Sequence, residues 1–128
     1  MKQYTLIRFI FGIAAIYDGI LGAVFLVSPL WIFDRFDVTP PNHTGYVQFP
    51  ALLLIIFAVM FASIALNPNA NKNLILYGIL LKLSYCGVVF GYWFTAGVPV
   101  IWKPFAIFDL LFMVIFIFAW SELKHSKK

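Results

Sequence analysis

The sequence predicts an all-α polytopic membrane protein: a bundle of four transmembrane helices with a short interfacial helix after the first span. Three observations carry that prediction. Of 128 residues, 63% are hydrophobic and 11% charged, with a mean hydropathy of +0.96. Soluble domains run at about 45–50% apolar and about 25% charged, so this chain lacks the polar surface to cover a globule in water. Four apolar stretches, Thr5 to Val27, Tyr46 to Leu66, Leu74 to Phe94 and Pro104 to Trp120, each approach the ~20 residues with which a helix crosses ~30 Å of hydrocarbon. These runs are continuously apolar, whereas the strands of a membrane barrel alternate over about 10 residues.

The first stretch, residues 5–27, is longer than the apolar region of a signal peptide and meets no small-residue cleavage site, which predicts a retained helix. Ser28-Pro29 then fits an N-cap followed by proline at the first helical position, so Leu30, Trp31, Ile32 and Phe33 begin a short helix in the interface. Pro40-Pro41-Asn42 forces a turn. The second span, 46–66, contains Pro50 where a first-turn proline is tolerated. Asn67 to Asn71 make a tight polar connection to the third span, 74–94, and Gly97-Val98-Pro99 connect it to the fourth, 104–120. With no repeat, linker or low-complexity segment, residues 1–128 read as one domain, without room for a soluble catalytic domain beside the membrane part.

Lys and Arg near the span ends set the orientation. Lys2, Arg8, Lys72, Lys124, Lys127 and Lys128 fall on one side and Arg35 and Lys103 on the other, six against two, which puts both termini in the cytoplasm. Trp31, Trp102 and Trp120 sit where interfacial anchors belong. Asn42-His43-Thr44 matches the glycosylation acceptor pattern, which matters only in a eukaryotic secretory route. The net charge of +4 comes from scattered or terminal residues with no basic stripe, so nucleic acid is excluded as a partner and the lipid bilayer is the expected one.

Asp18, Lys82 and Asp109 are ionisable residues inside the spans, where a charge at mid-membrane costs at least about 2.5–3.5 kcal/mol and marks a functional site by default. At ~1.5 Å rise per residue, Asp18 and Asp109 lie ~20 Å from the cytoplasmic edge and the Lys82 backbone ~12 Å. A lysine side chain spans the difference. Asp18 flanks a line of Gly12, Ala15, Gly19 and Gly22 suited to close helix approach; Lys82 has Gly78, Tyr85 and Cys86 as helical neighbours. Asp109 shares a face with Phe105, Phe112, Met113 and Phe116. The expectation is a buried ionic cluster of Asp18, Lys82 and Asp109 with Tyr85 beside it, against a pocket wall of Phe112, Met113 and Phe116. Fully ionised, the three charges sum to −1, so either one carboxyl holds a proton or a cation or ligand completes the set. A static ion pair between Lys82 and one Asp, fixing only helix order, is the alternative. Arg8 lies near enough to the edge to snorkel and has a structural role.

Motifs for ordinary catalysis, which would mark an enzyme, do not occur. His43 and His125 fall in a loop and a tail, giving no support for a haem or metal, and Cys86 is the only cysteine. Gly87-x-x-x-Gly91 predicts helix contact within the bundle rather than dimerisation.

The Gly-containing first span ending in Ser28-Pro29, the Asn67-Pro68 stop, Leu80-Leu81-Lys82 and Asp109-Leu110-Leu111-Phe112 together resemble the DoxX-like group of small bacterial four-helix membrane proteins. The resemblance extends over most of the chain. It implies a protein of the cytoplasmic (inner) membrane, and some relatives are subunits of quinone-linked oxidoreductases acting on sulfur compounds. This chain has no cysteine pair with which to handle sulfur, so the redox activity does not carry over.

Three functions stand open. The first is a bundle that binds a lipid-like or quinone-like molecule, its body on the aromatic wall and its head at the cluster. The second is a non-catalytic accessory or scaffold subunit packed against a membrane-protein partner. The third is a proton-coupled transporter assembled as a homo-oligomer. A cavity reaching the cluster favours the first; a closed, dry cluster favours the second.

Overall fold

The computed structural model describes residues 2–125, so Lys127 and Lys128 of the charge count lie outside the described residues. Five helices follow in order: α1 Lys2–Val27, α2 Pro29–Arg35, α3 Gly45–Leu66, α4 Lys72–Trp93 and α5 Trp102–Lys124. The four long ones are each apolar and long enough to cross a membrane, and most of their apolar side chains, such as Phe9, Ile16, Ile56 and Leu111, face outward. A chain that exposes these side chains all round is solvated by lipid.

The bundle is built from two close pairs, α1 along α3 and α4 along α5, while the α1 and α5 backbones approach each other only briefly. Glycine sets the first pair. A Cβ on Gly22 would lie 2.7 Å from the Ala51 carbonyl oxygen and 2.9 Å from Ile55, and one on Gly19 would meet Ala58 at 3.5 Å. Backbone cannot yield as a side-chain tip can, so Gly22→Ala should force α1 off α3 and cost about 1–3 kcal/mol. Gly87→Ala should stay within about 0.5 kcal/mol of the parent. Detergent-resolved thermal unfolding of the two variants side by side checks the contrast. Among the described residues Gly12 meets nothing within 4 Å, so only the Gly19–Gly22 half of the small-residue line is used. The expectation for Gly87 and Gly91 is corrected: among the described residues neither approaches another helix, and both turn away from the bundle.

Two apolar clusters fill the interior. The one nearer the two chain ends, named inner for that position alone, holds Phe11, Phe61, Phe116, Ile64 and Ile75, with Phe11 stacked on Phe116 at 4.5 Å between ring centres. In the outer one, α2 folds back so that Ile32 and Phe33 join Phe25, Ala51 and Ile101. Trp102 stacks on Phe25 at 5.6 Å, so it packs into the outer cluster instead of standing free as an anchor; Trp31 is the exposed one.

The ends differ from expectation in two places. Because α3 starts at Gly45, Pro50 lies inside the helix and not in its first turn; its missing N–H falls near the polar end of the span, where the loss is least costly. α5 begins at Trp102, which leaves Pro104 in a first turn whose N–H groups have no intrahelical partner, and continues past Trp120 because Leu123 is buried against the inner cluster. Gly97 carries the turn between α4 and α5 at φ +90°. Arg8 donates from Nε to the Ala65 carbonyl at 2.8 Å, tying the start of α1 to a last-turn carbonyl of α3.

Candidate functional site: a buried ion trio beside an apolar groove

Asp18 on α1, Lys82 on α4 and Asp109 on α5 meet at the waist between the two apolar clusters. Each is buried. The Lys82 ammonium donates to Asp18 Oδ1 and Oδ2, both at 3.1 Å, and to Asp109 Oδ1 at 3.0 Å. An ammonium has three donors, and all three are used. Where the sequence predicts pairing with at least one carboxylate, Lys82 bonds both, and in doing so it ties the α1/α3 pair to the α4/α5 pair. Helical phase explains this: Gly78 lies one turn before Lys82 on α4, and its missing side chain lets Phe61 come in beside it.

Aromatic faces complete the surroundings of the ammonium. Tyr17, Phe61 and Phe112 stand with their ring centres 5.3, 5.7 and 5.1 Å from Nζ. Cation–π attraction strengthens on desolvation, to about 2 kcal/mol or more, which offsets part of the cost of holding Lys82 out of water. The two carboxylates differ. Asp18 has both oxygens on Lys82 and a side chain 1% exposed, whereas the Asp109 side chain is 11% exposed. Among the described residues, Asp109 Oδ2 takes no hydrogen bond.

The other predicted residues separate. The Tyr85 hydroxyl donates to the Trp102 carbonyl at 3.0 Å, not to a carboxylate. Phe112 stands by the cluster, Met113 is half-buried, and Phe116 belongs to the inner core. Cys86 is buried and its thiol donates to the Ala106 carbonyl at 3.5 Å. Among the described residues no group of His, Cys, Asp and Glu is placed to hold a metal ion.

Tyr17 and Phe61 are the contributors that sequence reasoning missed. Tyr17 fills the gap between α1 and α5, packing on Phe105, Phe108 and Phe112 at 6.4, 6.1 and 5.4 Å between ring centres. Its hydroxyl is buried without a hydrogen-bond partner among the described residues. A polar tip next to Asp18 in mid-span was the available signal. Phe61 sits in a span with no charge to mark a buried face.

Tyr17 also lines an apolar groove of about 380 Å³ between α1, α2 and α5, together with Leu21, Val24, Phe25, Ile101 and Phe105. Phe105 lies one helical turn from Asp109. None of the three charged residues lines the groove; Tyr17 is the side chain common to the groove and to the surroundings of the trio.

Comparison with family models, curated proteins and solved structures finds no match. What the fold defines is a class: a multi-pass, all-α membrane protein with four spanning helices and a short helix after the first. That architecture is in keeping with the DoxX-like one.

Proposed function

We propose that the protein binds a lipid-like or quinone-like molecule in the groove between α1, α2 and α5, with the molecule's polar head at the Asp18, Lys82, Asp109 trio. The observation that carries this reading is the shared wall: Tyr17 lines the groove and also stands 5.3 Å from the Lys82 ammonium. The groove is apolar along its length, which suits the tail of an amphiphile. Behind its Tyr17 wall lie two unmatched polar groups for a head, the buried Tyr17 hydroxyl and the free Asp109 oxygen. A scaffold needs neither. We assign the protein to the cytoplasmic membrane with both termini inside, on the six-to-two charge asymmetry and the likeness to DoxX-like proteins, with a binding and not a catalytic role.

The test uses protein extracted gently into detergent and analysed by mass spectrometry for retained small molecules. Wild type should carry an amphiphile. Val24→Trp, which puts an indole into the groove from α1, should fold and lose it. Wild type free of any retained amphiphile, or equal retention by Val24→Trp, would contradict the proposal.

A further inference from the structure

Resting on the binding role just proposed, we infer that the groove takes amphiphiles with a positively charged head, a lipophilic amine or quaternary ammonium, in preference to neutral or acidic ones with the same tail. Charge is the first reason. Two carboxylates and one ammonium sum to −1, and Lys82 has spent its three donors without satisfying Asp109 Oδ2. A residual charge in a low-dielectric site attracts a counter-charge strongly. An acidic head would double the uncompensated charge, and a neutral one would leave it as it is.

The second reason is the lining. Tyr17, Phe25, Trp31, Phe36 and Phe105 give the groove aromatic faces from three helices, the surface that attracts organic cations. Tyr17, one of these faces, already stands by an ammonium, that of Lys82. The third reason is position. Asp109, the more accessible carboxylate, lies one turn from Phe105 on the same face of α5. Asp109 stands behind the groove wall, so a head group at the Tyr17 end feels its charge across Tyr17 and Phe105.

The experiment measures binding of dodecyltrimethylammonium, dodecanol and dodecanoate to the full chain in phosphatidylcholine nanodiscs, corrected for empty discs. The ammonium should bind about tenfold or more tightly than the alcohol, and dodecanoate weakest. In Asp109→Asn, which keeps the Lys82 and Asp18 pair, ammonium and alcohol should become equal; Asp109→Glu should restore the preference. Alcohol binding as tightly as ammonium in the wild type would overturn the cation preference and leave the groove reading standing. So would a preference that survives Asp109→Asn. Failure of all three probes to bind would overturn both readings.

Discussion

Lys82→Met should be the most damaging single substitution in the interior. The ammonium makes three hydrogen bonds at 3.0–3.1 Å to two carboxylates whose side chains are 1% and 11% exposed. Methionine keeps the length of the side chain and removes all three bonds, leaving two acids facing each other across a space that excludes water. Breaking a buried pair from one side costs about 3–5 kcal/mol, a large part of the about 5–15 kcal/mol that holds a typical domain folded. Thermal unfolding in detergent should show the loss. Adding Asp18→Asn and Asp109→Asn to Lys82→Met should recover most of it, because no charge then remains to be compensated. A Lys82→Met protein within about 0.5 kcal/mol of wild type, the range of an ordinary surface change, would contradict the account.

The second large effect is a failure of additivity. With both carboxylates bonded to Lys82, either single Asn substitution leaves a balanced pair of one ammonium and one carboxylate. Asp18→Asn should cost more than Asp109→Asn, since Asp18 gives two acceptors to Lys82 and Asp109 one. The double substitution strands the ammonium among three aromatic rings, and cation–π attraction alone does not replace a carboxylate. Its loss should exceed the sum of the singles by about 1–3 kcal/mol, the range of coupling between residues in one network. Strict additivity would mean that Lys82 relies on neither acid.

The parts of this structure that were legible in the sequence are those that contrast with lipid. Asp18, Lys82 and Asp109 stand out because a charge in a span must find a partner, and rise per residue puts them near one level. The spans and the Ser28-Pro29 start of α2 are marked by hydropathy and by proline chemistry in the same way. The rotation of each helix was harder to read. In water an amphipathic stripe shows which face is buried; in a bilayer the outside is as apolar as the core, so Phe61 inside and Phe9 outside look alike in sequence. For the same reason Phe116, placed on a pocket wall by its spacing from Asp109, belongs to the inner core, and the wall that lines the groove is formed by Tyr17 and Phe105. Small residues gave only a partial guide. Gly22 and Gly78 meet neighbours that a side chain would displace, whereas Gly87 and Gly91, with equal claim by motif, face outward.

The claim on which both the stability and the binding readings depend is that one lysine is shared between acids on two different helix pairs. Solid-state NMR of the full chain in lipid, with ¹⁵N at the lysine side chains and ¹³C at the aspartate carboxyls, measures this directly. The account predicts dipolar contacts from the Lys82 Nζ to the carboxyl carbons of both Asp18 and Asp109, each at about 4 Å or less, the range of direct ion pairing, and the loss of one contact in each single Asn variant. A Lys82 nitrogen coupled to one carboxyl only, or to neither, would contradict it.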